Sequence, residues 1–206
     1  MQLRLGSTVI RAGDVQCLPV EFLSSVVLSN AAFLVTYPAD RLTNSSLVIN
    51  TQQVGGAPSV SPAGPGTLTV GLGLLTNHTL RVPTNVASLC FTAPSNQSSA
   101  FVLLQLPEVN AQRVDGTTVT NSYGLPGRVV IVGNEPLLEA LRISTNQVLL
   151  LQYAIPNSTI RLERTTNFPP FGSWLPSGQT IQSNLVQEAG RFNPNAPLLF
   201  FRAVRN

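Results

Sequence analysis

The chain has 206 residues, of which 10% are charged, against about 25% in an ordinary globular domain. Its twelve basic residues are all arginine and stand singly along the sequence, so the formal net charge of +3 does not indicate a basic patch for nucleic acid. The lack of lysine excludes Schiff-base chemistry and a P-loop, and no apolar run reaches the ~18 residues of a membrane-spanning helix.

Short segments rich in apolar and β-branched residues recur through the first 133 residues, with turn sequences between them. Such segments suit pleated strands, whereas Gly, Pro, Asn and Asp favour turns such as Ala12-Gly13-Asp14 and Pro126-Gly127. The spacing predicts an all-β, two-sheet sandwich. Its nine predicted strands are Leu3–Ile10, Val15–Phe22, Ala31–Tyr37, Leu47–Asn50, Thr67–Leu75, Val86–Thr92, Phe101–Leu106, Thr117–Val119 and Val129–Val132.

The pattern changes after Gly133. Residues 134–143 contain the one stretch rich in helix-forming residues, which is short, and we interpret it as a linker or a single turn. Residues 144–206 then predict a small immunoglobulin-like or fibronectin-like β-sandwich, with turns at Pro156-Asn157 and Pro176-Ser177-Gly178. Its predicted strands are Gln147–Tyr153, Thr159–Glu163, Thr180–Gln182 and Pro197–Val204.

Several short motifs follow one another in the first domain, residues 1–133. Ala12-Gly13-Asp14 leads into Leu18–Phe22, the strand Ala32–Thr36 is followed by Tyr37-Pro38, and Val86–Phe91 and Arg128–Gly133 come later. In this order they resemble the cohesin family, whose modules bind dockerins in bacterial surface assemblies. The resemblance implies a nine-stranded jelly-roll β-sandwich that binds a protein partner and catalyses no reaction.

The end of the chain carries a second resemblance. Leu150–Tyr153, Leu162–Thr166, Ser173-Trp174 and Phe200–Arg202 resemble a small module that ends secreted proteins of bacteria such as the Verrucomicrobia. This resemblance implies an extracellular or cell-surface protein whose leader peptide has been removed.

The two cysteines lie in strands that would be neighbours in a cohesin-like sheet. Apolar residues alternate in Val15–Phe22 and in Val86–Thr92, which places Cys17 and Cys90 on the same outer surface. A disulfide between them would close a loop of about 70 residues and stabilise an exported protein. Two free cysteines are the alternative.

Catalytic and metal-binding patterns are weak. His78 is the one histidine and has neither a nucleophile elbow nor paired cysteine spacing near it, so we expect no enzyme and no zinc site. Asp115-Gly116, with Glu108 and Asn110 upstream, offers oxygen ligands for Ca²⁺, but a plain turn is favoured and no cofactor is expected. The aromatic stretch ending at Trp174 is interpreted as part of the small module's core and not as a sugar platform.

A candidate binding surface comes from strands that are apolar or small on both faces. Phe101–Leu106 is apolar on both faces, and Thr67–Leu74 alternates a Leu/Val face with a face of Thr and Gly. In cohesins the corresponding sheet binds dockerin. The sequence therefore predicts a flat, apolar partner-binding surface unless the C-terminal module covers it: Ala32, Leu34, Thr36, Thr69, Gly71, Phe101 and Leu103.

Three functions agree with these features. The leading hypothesis is a non-catalytic extracellular binding or scaffold module with a dockerin-like partner or a role in cell-surface assembly. A self-associating structural subunit of a filament, sheath or surface layer is the second. A carbohydrate-binding module is the third, and it is weakened by the content of only three Tyr and one Trp. Nucleic acid is not an expected partner.

Overall fold

The computed structural model describes residues 1–75, 79–166, 173–193 and 199–205. The described residues form strands, turns and bends without a helix, which confirms the all-β prediction. No helix capable of spanning a membrane is found in them. The chain divides into two compact units, the first formed by Met1–Ser95 with Phe101–Val130 and the second by Asn96–Ala100 with Ile131–Asn206.

Two sheets run through the first 132 residues. One has five strands in the order β10-β1-β3-β8-β5, and the other has six in the order β2-β11-β9-β4-β7-β6. The strands are β1 (Gln2–Leu5), β2 (Ser7–Arg11), β3 (Val15–Leu23), β4 (Leu28–Thr36), β5 (Thr43–Ile49), β6 (Ser59–Gly64), β7 (Thr67–Gly73), β8 (Thr84–Thr92), β9 (Ala100–Arg113), β10 (Tyr123–Leu125) and β11 (Gly127–Val132).

The core of the sandwich follows from alternation along the strands. Successive side chains of a strand point to opposite faces, so β3 buries Leu18, Val20 and Phe22 together. The Phe22 ring meets the Phe33 ring of β4, in the other sheet, edge to face with centroids 6.5 Å apart. Apolar faces of both sheets thus pack against each other, as expected for a sandwich.

The described strands of this part number eleven and not nine. The predicted strand Leu3–Ile10 is divided at Gly6 into β1 and β2, which belong to different sheets. Gly6 is buried and a Cβ there would collide with the Pro19 ring, so the crossing needs glycine. β6 and β10 were not predicted, because both are short, largely exposed strands at sheet edges. The predicted strand Thr117–Val119 is reduced to a bridge between Gln112 and Thr118.

The described residues of the second unit form two three-stranded sheets, β12-β13-β16 and β15-β14-β17. The segment interpreted as a linker is a strand from Leu137 onward, because pairing with all of β13 outweighs its helix propensity. The turn predicted at residues 176–178 lies within β15, where a register shift at an edge strand accommodates Pro and Gly. The strands are β12 (Leu137–Ser144), β13 (Gln147–Tyr153), β14 (Thr159–Thr165), β15 (Leu175–Ile181), β16 (Val186–Phe192) and β17 (Phe200–Arg205).

Gly66 occupies a position where alanine is expected to be costly. Its φ is +66°, and a Cβ added there would collide with the carbonyl oxygen of Tyr37. The Tyr37 N–H also donates to the Gly66 carbonyl at 2.8 Å. We expect Gly66→Ala to lower the free energy of unfolding by about 2 kcal/mol or more, measured by urea denaturation. Gly116→Ala is the matched control, because Gly116 has φ +80° but no atom within 4 Å of its Cβ position. Equal losses of unfolding free energy in the two variants would show that the collision with Tyr37 is not the cause.

Candidate functional site

The predicted binding residues of β4 and β7 lie side by side on the outer face of the six-stranded sheet. Ala32 is directly opposite Gly71, and Leu34 is opposite Thr69. Ala32 and Thr69 are exposed, while Leu34 and Thr36 are half-buried. On the edge strand β6, Ser59 and Ser61 stand opposite Gly71 and Thr69. We call Ala32, Thr69, Gly71, Ser59 and Ser61 the small-residue surface.

Phe101 and Leu103 lie on the same outer face, near the beginning of β9. Their exposed fractions are 43% and 50%, and the Cζ atom of Arg128 lies 5.3 Å from the centroid of the Phe101 ring. Thr36, the last residue of β4, is paired with Gln105. Phe101 and Leu103 therefore stand beyond the end of β4, and the predicted residues form two groups on one face.

The second half of β9 adds polar residues to this face that the predicted surface did not include. Glu108 and Asn110 are exposed and stand opposite Leu34 and Ala32. Next to them, Asn30 Nδ2 donates to Gln112 Oε1 at 2.8 Å. The surface thus consists of small residues in β4 and β7 and of polar residues along β9, beside the residues that the sequence predicted as a flat, apolar surface.

A signal for these polar residues is present in the sequence. Residues 108–112 alternate polar and apolar side chains, as a half-buried strand does. The predicted strand nevertheless ended at Leu106, directly before Pro107, a residue that lacks a backbone N–H. In the structure the register between Leu34 and Thr36 shifts opposite this proline, so β9 bulges there and continues.

Cys17 and Cys90 form a disulfide in the five-stranded sheet. They are directly opposite in the pairing of β3 with β8, with Cα atoms 3.9 Å apart. This bond is one of the two alternatives that the sequence left open. It belongs to the sheet opposite the small-residue surface, so it stabilises the unit without entering the candidate site.

The Asp115 carboxylate, one of the candidate Ca²⁺ ligands, accepts hydrogen bonds within its own turn. Asp115 Oδ1 accepts hydrogen bonds from Thr117 N at 2.9 Å and from Thr117 Oγ1 at 2.6 Å. The Thr117 hydroxyl is the main cause that holds the pKa of the Asp115 carboxyl below its usual value. Within the described ranges, no three His, Cys, Asp or Glu side chains are grouped to hold a metal. His78 lies outside those ranges.

Trp174 is half-buried, and the Cζ atom of Arg202 lies 4.4 Å from the centroid of its ring. The aromatic residues that precede it, Phe168 and Phe171, lie outside the described residues. The ring therefore stacks against a charged group, an arrangement that its interpretation as a core residue did not include.

No protein-family model matches the sequence, and no curated protein matches it. Among solved structures, the module CaCohA2 of Clostridium acetobutylicum, in its complex with CaDoc0917, gives a TM-score of 0.56 at 19% identity, covering 63% of this chain and 98% of that chain. The seventh ScaB type I cohesin of Pseudobacteroides cellulosolvens gives 0.55 at 14%, covering 68% and 97%. A type I cohesin–dockerin complex of Clostridium thermocellum gives 0.52 at 15%, covering 63% and 97%.

The sandwich has the cohesin fold. The matches include nearly the whole length of the cohesins and less than three quarters of this chain. Because the identities are below 20%, these matches establish the fold and leave the partner to be argued from the surface of this chain. The predicted cohesin-like architecture is confirmed.

Proposed function

We propose that the chain is an extracellular, non-catalytic binding module that uses the small-residue surface to hold a dockerin-like protein partner. The cohesin fold supports this proposal because two of the three structures named above are complexes, one of them named as a cohesin–dockerin complex. The domain division proposed from the sequence, residues 1–133 and 144–206, assigns this role to the first domain.

The observation that carries the proposal is the shape of the surface. Ala32, Gly71 and Thr69 are small neighbours on adjacent strands, so a partner can approach the backbone of β4 and β7 closely. Glu108 and Asn110 border them with a carboxylate and an amide that orient a partner through hydrogen bonds. A flat centre with polar groups beside it suits recognition of a folded protein better than enclosure of a small molecule.

An extracellular location is supported by the disulfide. Disulfides persist in oxidising environments and are rare in the cytosol, and the two cysteines of this chain are bonded to each other. The resemblance of the last 60 or so residues to a module that ends secreted bacterial proteins points to the same location. Binding at this surface is proposed to require no cofactor.

Ala32→Arg is expected to abolish partner binding while the fold is retained. Ala32 is exposed, so a long charged side chain fits in solvent but blocks close approach to the sheet. Ser46→Arg is the matched control, because Ser46 is an exposed small residue on β5 in the other sheet. The wild-type chain and both variants are used to capture partners from the source culture, and a captured protein is then purified and titrated by calorimetry.

A purified partner should bind the wild type and Ser46→Arg alike and bind Ala32→Arg at least about 100-fold more weakly, about 2.8 kcal/mol. Equal binding by Ala32→Arg would place the interface elsewhere. Light scattering of the chain alone distinguishes the alternative, because a structural subunit forms large ordered particles without any partner. Retention of the wild type on neutral polysaccharide, lost in Ala32→Arg, would favour a carbohydrate-binding module.

A further inference from the structure

Four of the twelve arginines that stand singly in the sequence lie in one sheet of the second unit. The sheet β15-β14-β17 contains Arg161, Arg164, Arg202 and Arg205 but one acidic residue, Glu163, a formal charge of +3. The whole chain also has a formal net charge of +3, so the rest of it is formally neutral. In a chain with so few charged residues, this sheet is the basic part of the molecule.

Arg161 and Arg202 converge on a single carboxylate. Glu163 is directly opposite Arg202 in the pairing of β14 with β17, and Arg161 lies two residues before Glu163 on the same face. Arg161 Nε lies 2.8 Å from Glu163 Oε1, and Arg202 Nε lies 2.6 Å from Glu163 Oε2. Each carboxylate oxygen therefore holds one guanidinium, and the two guanidiniums are fixed beside each other.

The three side chains differ sharply in exposure. The Glu163 side chain is 6% exposed, whereas those of Arg161 and Arg202 are 45% and 47% exposed. The Trp174 ring supports the Arg202 guanidinium from one side. A guanidinium has five N–H donors and a carboxylate bond through Nε uses one of them, so donors remain on the exposed edge of each arginine.

A contribution to the stability of the fold does not by itself explain why two arginines share one nearly buried carboxylate. A nearly buried carboxylate loses its hydration, and apolar replacements of buried ion pairs are often as stable or more stable. Two guanidiniums held in place lose little side-chain freedom when an anion binds, and arginine matches planar oxyanions through paired hydrogen bonds. Arg161, Glu163 and Arg202 are therefore arranged as expected for an anion-binding site, and not only as a contact that holds two strands together.

We propose that Arg161 and Arg202 bind a carboxylate or sulfate group of an acidic polysaccharide, with Glu163 as the positioning residue. Gln179, the exposed partner of Arg161 on β15, and the exposed Ser177 beside it supply neutral groups that suit sugar hydroxyls. Nucleic acid fits less well, because it is held at physiological salt by several phosphate contacts and Glu163 offsets one of the two charges here. This site shares no residue with the small-residue surface.

The test is calorimetric titration of the full chain at low ionic strength with heparin, polygalacturonate, neutral dextran and duplex DNA, together with sodium sulfate. We expect heparin or polygalacturonate to bind and dextran not to bind. Arg202→Gln and Arg161→Gln should each weaken binding about tenfold or more, as expected for loss of a charge-assisted contact. Arg191→Gln is the matched control, because Arg191 lies in the same unit in an exposed pair with Glu188 and its loss changes the net charge equally.

Glu163→Gln distinguishes binding at a positioned site from general electrostatic attraction. It raises the net charge by one, so general attraction predicts tighter binding, whereas loss of the carboxylate that positions both arginines predicts weaker binding. Circular dichroism checks that the variant is folded. Arg161→Lys is a second variant that keeps the charge but lacks the planar donor pair, and it should also bind more weakly.

Four results would overturn the proposal: tighter binding by folded Glu163→Gln, equal loss in Arg191→Gln and Arg202→Gln, binding of sulfate alone without either acidic polysaccharide, or a preference for DNA over both. Ala32→Arg should leave polysaccharide binding unchanged, so failure of this proposal and failure of the proposed protein-binding function are distinguished.

Discussion

Replacing Cys17 and Cys90 together by alanine is expected to lower the free energy of unfolding by about 4 kcal/mol. The bond joins residues 73 positions apart, and opening a loop of that length restores a large conformational entropy to the unfolded chain. It also connects β3 and β8, which are adjacent within the five-stranded sheet. The measurement is urea denaturation of the oxidised wild type and of the double variant, followed by circular dichroism.

Reductant provides the control for this prediction. The reduced wild type should unfold near the urea midpoint of the Cys17→Ala/Cys90→Ala variant, and the variant itself should not respond to reductant. If oxidised and reduced wild-type chains unfolded at the same midpoint, the disulfide would not contribute to stability.

The sandwich was predictable because its strands show patterns formed by residues that are close together in the sequence. β3 and β7 alternate buried and exposed side chains with period two, and turn residues bound them. The same alternation placed Cys17 and Cys90 on one face, where they meet. The resemblance to cohesins added that the strands of the two cysteines are neighbours in one sheet, which local patterns alone do not contain.

Features that depend on pairing between distant segments were not predictable in this way. Pro107 ended the predicted strand, although in the sheet the bulge beside it lets β9 continue to Arg113. Glu108 and Asn110 were therefore considered only as Ca²⁺ ligands and not as part of the candidate surface. Likewise, Arg161 and Arg202 become neighbours only through the register of β14 with β17, so a sequence without a cluster of arginines folds into a structure that has one.

Phe22→Ala is expected to lower the free energy of unfolding by about 3–5 kcal/mol, because it leaves a cavity between the two sheets. Phe22 is fully buried and its ring packs edge to face on Phe33. Urea denaturation provides the measurement, and Phe22→Leu, which refills part of the volume, should recover much of the loss.

Phe101→Ala is the matched control, because the same atoms are removed from a ring that is 43% exposed. Phe101→Ala should lower the free energy of unfolding by no more than about 1 kcal/mol, the usual contribution of an exposed contact between an arginine and an aromatic ring. A loss at Phe101 as large as that at Phe22 would mean that Phe101 is a core residue. If the loss is small, the sandwich does not need the Phe101 ring for stability, and any weakening of partner binding in Phe101→Ala reports on the outer face itself.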